Sequence, residues 1–195
     1  MLGRFLKPGN VFVDIGANVG VFSMKAAKEV GDAGTVIAIE PFIESACQLS
    51  RNIAKNKYRN CRVRNFCAGR ATNHIRFFMN GDKPNSFSLA QSANSPSISV
   101  LCVSLNDLCR WEGIERLDYL KIDAEGAEDM ILEGGAEMIA RFRPVIQVEV
   151  LVRSPRLPLG YCRFSAPGSS NHVFIPSERV DAIETAKALS WTEIF

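Results

Sequence analysis

Two short stretches of this sequence hold most of the side chains that can do chemistry. The first is Phe12-Val-Asp-Ile-Gly-Ala-Asn-Val-Gly20, with the acid Asp14 two residues before a glycine and Gly20 four residues further on. Gly16 and Gly20 permit a tight strand-to-helix turn and let a ligand come close to the backbone. The pattern is D-x-G-x-x-x-G, and G-x-G-x-x-G is absent. A pyrophosphate on that helix N-terminus would face Asp14 at close range, which like charges disfavour. A ligand with an ammonium group and a sulfonium centre, such as S-adenosylmethionine, suits an acid there. Glu40 stands in Ile39-Glu-Pro41, 26 residues after Asp14, at the carboxyl end of the next strand. Its two acceptor oxygens match the two hydroxyls of a ribose.

The second stretch is Tyr119-Leu-Lys-Ile-Asp-Ala-Glu-Gly-Ala-Glu128, which sets carboxylates where a strand meets a helix. Ligands of open α/β sheets bind at that edge, so Asp123 and Glu125 are candidates to accept or orient a substrate hydroxyl's proton. Glu128 and Asp129 lie further into the helix, where complementing its dipole is the better reading.

These residues need strand ends and helix starts to hold them, and the chain supplies both. Apolar spacing predicts strands at 11–15, 35–39, 62–66, 117–122 and 145–150, alternating with helices at 19–30, 43–57, 105–111 and 126–142. That alternation is the mark of a parallel α/β sheet. Residues 67–103 interrupt it with strands at 74–79 and 98–103 around a Ser-, Asn-, Gly- and Pro-rich loop. Short strands at 161–164 and 172–175 and a helix at 181–189 close the chain.

Composition narrows the classes. At 195 residues and 47% hydrophobic, the chain suits one domain (residues 1–195) with a real core. No apolar run approaches the ~20 residues a membrane span needs. The first strand arrives too early for a signal peptide. Six cysteines form no C-x-x-C pair and the two histidines have no metal-type partner nearby, so a reduced, cytoplasmic protein without a metal is expected. The net charge of +2 hides an asymmetry. Residues 45–81 carry eight basic side chains and no acid, whereas residues 106–137 carry ten acids against three bases. The basic segment reads best as a solvated helix face; no aromatics interleave with it, which disfavours nucleic acid.

With these motifs in place, the chain resembles the FkbM-type family of S-adenosylmethionine-dependent methyltransferases. The resemblance is carried by Pro8-Gly-x-Val-Phe-Val-Asp-Ile-Gly-Ala-Asn-Val-Gly20, Ile39-Glu-Pro41, Leu120-Lys-Ile-Asp-Ala-Glu-Gly-Ala-Glu128 and, more weakly, Arg143-Pro-Val-Ile-Gln-Val-Glu149. It implies a class I (Rossmann-like) fold: a mostly parallel seven-stranded sheet, helices on both faces, and an extra strand pair between the third and fourth strands. It implies that Asp14, Gly16, Ala17, Asn18 and Gly20 hold the methionine end of S-adenosyl-L-methionine and Glu40 its ribose. Asp123 and Glu125 would be catalytic, and Ser86 and Ser88 would line the acceptor site. The implied reaction is O-methylation of a hydroxyl on a sugar, glycan or secondary metabolite.

Three features depart from that pattern. Only ten residues precede the first strand where relatives carry a longer extension, so a lid would come from residues 67–103 or the true start lies upstream. Asn106-Asp107 replaces an Asp-Asp pair. Arg153-Ser-Pro-Arg-Leu-Pro158 occupies a helix position that two prolines disfavour. A module that binds cofactor or a partner without catalysis is therefore the alternative expectation, and a nicotinamide dehydrogenase is disfavoured by Asp14.

Overall fold

The computed structural model describes residues 2–79, 87–88, 97–150, 154–156 and 158–194. Five parallel strands form its centre: β1 (Val11–Ile15), β2 (Thr35–Ile39), β3 (Cys61–Arg64), β8 (Tyr119–Ile122) and β9 (Val145–Glu149). Three more strands extend the sheet beyond β9, namely β10 (Tyr161–Ser165), β11 (Asn171–Pro176) and β12 (Thr192–Ile194). The order is β12-β10-β11-β9-β8-β1-β2-β3. Strand β11 runs antiparallel to β9 and β10, and β12 antiparallel to β10. The expected seven-stranded sheet thus has eight strands of mixed orientation. The extra member, β12, is a three-residue edge too short to show a period in sequence.

The helices are α1 (Val21–Val30), α2 (Ile43–Lys55), α3 (Leu105–Glu112), α4 (Glu128–Gly134), α5 (Ala136–Phe142) and α6 (Val180–Ala188). Period-2 alternation divides the strand side chains between two faces. Val13, Ile15, Ile37, Ile39, Leu120, Ile122, Ile146 and Val148 share one core with α3, α4 and α5. Phe12, Val36, Tyr119 and Val145 point the other way, to a core with Ala26, Ala27, Val30 and Ala182 of α1 and α6. By the same alternation Asp14 and Lys121 belong to the α1 face.

The single helix expected over 126–142 is two, parted at Gly135. A Cβ on Gly134 would lie 2.1 Å from the Gly69 carbonyl oxygen, and one on Gly135 would lie 2.8 Å from Leu105 Cδ1. Close packing on both sides requires these glycines and interrupts the helix.

The insertion is also larger than the expected strand pair. Strands β4 (Cys67–Gly69), β5 (Asn73–Met79), β6 (Phe87–Ser88) and β7 (Ser97–Ser104) make a separate four-stranded sheet, ordered β4-β7-β5-β6. It leads into α3 through a capped junction: the Ser104 hydroxyl accepts from the Asp107 N–H at 3.1 Å and donates to Asp107 Oδ2 at 2.9 Å. Asn106 Oδ1 accepts from the Met138 N–H at 3.0 Å, so both residues of the Asn106-Asp107 pair do structural work. The basic and acidic stretches meet across the fold. Arg62 and Arg64 on β3 pair with Glu112 on α3, and Arg70 pairs with Glu133 on α4. Residues 154–156 are not helical, as their proline dictates.

Candidate functional site

The sheet order reverses direction at β1, which lies between β2 and β8, and that makes the carboxyl ends of these strands the switch point at which ligands of open α/β sheets bind. The turn leaving β1 is tied to both neighbours. The N–H groups of Gly16 and Ala17 both donate to the Ile39 carbonyl at 3.0 Å, and the Asp123 N–H donates to the Ile15 carbonyl at 3.1 Å. Gly16 (φ 71°), Asn18 (φ 49°) and Gly20 (φ 94°) adopt left-handed backbone there, which winds the chain tightly into α1. Gly20 has a packing reason as well, since a Cβ would lie 2.2 Å from Leu49 Cδ1 on α2. Ala17 is buried beside Leu49, and Asn18 is exposed at the rim.

Glu40, at the end of β2, is almost fully buried. Its Oε2 accepts from the Asn18 N–H at 2.8 Å and its Oε1 from the Phe42 N–H at 2.9 Å. One carboxylate therefore braces the turns after β1 and β2, with a lone pair left on each oxygen. Burial pushes its pKa up, against the lowering effect of the two N–H bonds.

Asp14 lies beneath this rim with no solvent exposure. The Ser23 hydroxyl of α1 donates to its Oδ2 at 2.6 Å, and Lys121 Nζ stands 3.4 Å from its Oδ1. Burial raises the Asp14 pKa, and Lys121 and Ser23 oppose the rise. Lys121 is itself buried, lies 4.8 Å from the centre of the Phe22 ring, and reaches Asp123 Oδ2 at 3.2 Å. A single ammonium thus joins the acid of β1 to the acid beyond β8, and neither charge is buried unpaired.

Beyond β8, Asp123 is half-buried and Glu125 is exposed with a left-handed φ of 50°, followed by Gly126 at 101°. Glu128 Oε1 accepts from the N–H groups of Ala124 and Gly126 at 3.2 and 3.1 Å. Asp129 Oδ1 accepts from the Arg156 N–H at 2.9 Å. These two acids hold the turn and the crossover, contacts that go beyond the dipole-complementing role expected of them. Glu149, at the end of β9, lies beside Asp123 and accepts from the Ser170 hydroxyl at 3.2 Å.

The structure therefore brings Asp14, Gly16, Ala17, Asn18, Gly20, Glu40 and Asp123 to one edge, with Glu125 at its rim. Ser86 lies outside the described residues, and Ser88 falls on β6, opposite Phe78. Sequence reasoning assigned no role to Lys121, Ser23 or Glu149. The signal for Lys121 was a cation within the apolar run Tyr-Leu-Lys-Ile, which needs buried partners. Among the described residues no cluster of three or more His, Cys, Asp or Glu is set to hold a metal, and no helix is long and apolar enough to cross a membrane.

The fold and its acid-lined edge define a methyltransferase-like α/β protein. Residues 14–158 match the family described as the methyltransferase FkbM domain. The chain belongs to that family. Its fold resembles that of the FkbM methyltransferase of Methylobacillus flagellatus KT, with a TM-score of 0.58 at 19% identity over 85% of this chain and 43% of that one. It also resembles an rRNA methylase from Streptococcus thermophilus, with a TM-score of 0.51 at 10% identity over 89% of each chain. The chain thus spans less than half the length of the FkbM structure it matches. No curated protein matches it by sequence.

Proposed function

We propose that this chain is an S-adenosylmethionine-dependent O-methyltransferase acting on a hydroxyl of a sugar, glycan or secondary metabolite. The observation that supports it best is the meeting of Glu40, Asp14 and Asp123 from three adjacent strands at the switch point of an FkbM domain. The groups at that edge suit the cofactor: carboxylate acceptors for an ammonium and for ribose hydroxyls, with no G-x-G-x-x-G turn for a pyrophosphate. In this reading Glu40 takes the ribose and the turn 16–20 takes the methionine end, while Asp14, expected to meet the methionine end itself, is wholly buried against Ser23 and Lys121 and supports the turn from beneath.

The bound cofactor supplies an electrophilic methyl group on a positively charged sulfur. The chain's part is to position the acceptor oxygen, exclude water and receive a proton. Asp123 and Glu125 occupy the rim where an acceptor hydroxyl would arrive. A carboxylate there need only take the proton as the new carbon–oxygen bond forms.

Calorimetry with S-adenosylmethionine, S-adenosylhomocysteine and NAD tests the cofactor, and a labelled-methyl screen over cell-extract fractions tests the acceptor. Binding of S-adenosylhomocysteine with label passing to a hydroxylated product supports the reading. Binding without transfer would favour a module that holds cofactor without catalysis, which the non-helical crossover at 154–156 makes the second reading. Binding of NAD alone would sink both.

A further inference from the structure

Glu149 follows the last β8–β9 pair, Ile122↔Val148, in register, so it stands beside Asp123 at the carboxyl edge. This register sets the two carboxyl groups close enough to share one proton in a hydrogen bond, a bond that two ionised carboxylates cannot make without it. Lys121, 2% exposed, fixes Asp123 from below, and Ser170 fixes Glu149 from β11's approach. We propose that Asp123 and Glu149 act as one proton-holding pair, in which Asp123 receives the proton of the acceptor hydroxyl and Glu149, acting through it, is a positioning residue that shares that proton. This deepens the methyl-transfer reading above and rests on it.

The charges around the pair favour that role. Two like charges in contact hold a first proton more tightly than either alone. Glu149 accordingly lies above the usual glutamate range, chiefly through its hydrogen bond to Asp123, then through burial. Glu125 adds to that rise, while the Ser170 hydrogen bond opposes it. Asp14 shares the ammonium of Lys121 from β1, and Glu40 feels the Asp123 charge from β2. The acceptor O–H bond breaks and its proton enters the ionised pair, which goes from two negative charges to one. The electron pair left on oxygen forms the bond to the methyl carbon, and the electrons of the carbon–sulfur bond stay on sulfur.

The test combines carboxyl carbon NMR titration of isotope-labelled chain, S-adenosylhomocysteine calorimetry, and the pH profile of labelled-methyl transfer to extract fractions. In the wild type Glu149 should titrate above the usual glutamate range, and Asp123→Asn should bring it back. Glu149→Gln should change S-adenosylhomocysteine affinity less than about twofold. It should slow transfer roughly tenfold at neutral pH and move the acid limb to lower pH, with Glu149→Asp restoring part of the rate. An ordinary Glu149 titration, one indifferent to Asp123→Asn, or full transfer by Glu149→Gln would overturn the pair. Failure of wild-type chain to bind S-adenosylhomocysteine would instead overturn the methyl-transfer reading, and the proton's destination with it, even with the NMR coupling intact.

Discussion

A Cβ added to Gly16 would lie 1.8 Å from the carbonyl oxygen of Asp123, well inside contact distance. The turn after β1 and the turn after β8 therefore rest directly on each other, and the cofactor-side and acid-side segments cannot move independently. Gly16 also has a φ of 71°, which costs any other residue. Gly16→Ala should destabilise the chain by more than about 3 kcal/mol. Gly168→Ala is the control: φ is 67° but nothing lies within 4 Å, so only about 1 kcal/mol of strain is expected. Chemical denaturation midpoints measure both, and equal losses would sink the contact argument.

Asp123→Asn and Glu125→Gln should each cut methyl transfer by roughly a hundredfold or more while leaving S-adenosylhomocysteine affinity nearly intact. The geometry separates the two effects, because neither residue hydrogen-bonds to the turn 16–20 or to Glu40 through its side chain. Single-turnover rates and calorimetry read them apart. Wild-type turnover in both variants would remove these acids from the chemistry.

Glu40→Gln keeps an acceptor but can brace only one of the two N–H groups that the carboxylate now takes. The variant should bind S-adenosylhomocysteine at least about tenfold more weakly, the equivalent of losing one good hydrogen bond. Unchanged affinity would show that Glu40 braces the turns and takes no ribose.

Strong local patterns made most of this fold legible from the residues. Thr35–Ile39 is a strand with the bounds its apolar run predicts, and the Gly16–Gly20 turn lies where the glycine spacing placed it. The misses have a common physical cause: they depend on contacts far apart in the chain. Gly135 divides a helix because Leu105 and Gly69 press against it and its neighbour. Cys67–Gly69 becomes a strand only by pairing with residues 102–104. The basic segment met the acidic one through Glu112, a pairing between β3 and α3 that no local pattern encodes. The candidate site divides the same way. Asp14, Glu40 and Asp123 stand out by position at strand ends, whereas Glu149 joins them only through the β8–β9 register.

Arg143 anchors the far side of the sheet, and its partner gives a pH signature. Its guanidinium donates to Glu178, to the Leu159 carbonyl at 2.8 Å and to the Gly160 carbonyl at 2.6 Å, and it lies over the Tyr161 ring. The hydrogen bond from Arg143 holds the Glu178 pKa down to about 2, from an ordinary 4.5. A lowered acid stabilises the fold above its unfolded pKa and loses that contribution as pH falls. Glu178 should therefore contribute in full above about pH 5 and progressively less as the pH falls through 4.5 towards 2. Glu178 is about half exposed, so solvent screening limits the effect to below about 1 kcal/mol. Glu178→Gln should narrow the difference in denaturation midpoint between pH 7 and pH 3, and high salt should narrow it in the wild type. Asp107 and Glu112 are also held below their ordinary values, but they respond equally in both chains and cancel from the comparison. An identical pH 7 to pH 3 difference in wild type and Glu178→Gln would show that the Arg143–Glu178 pair carries no pH-dependent stability.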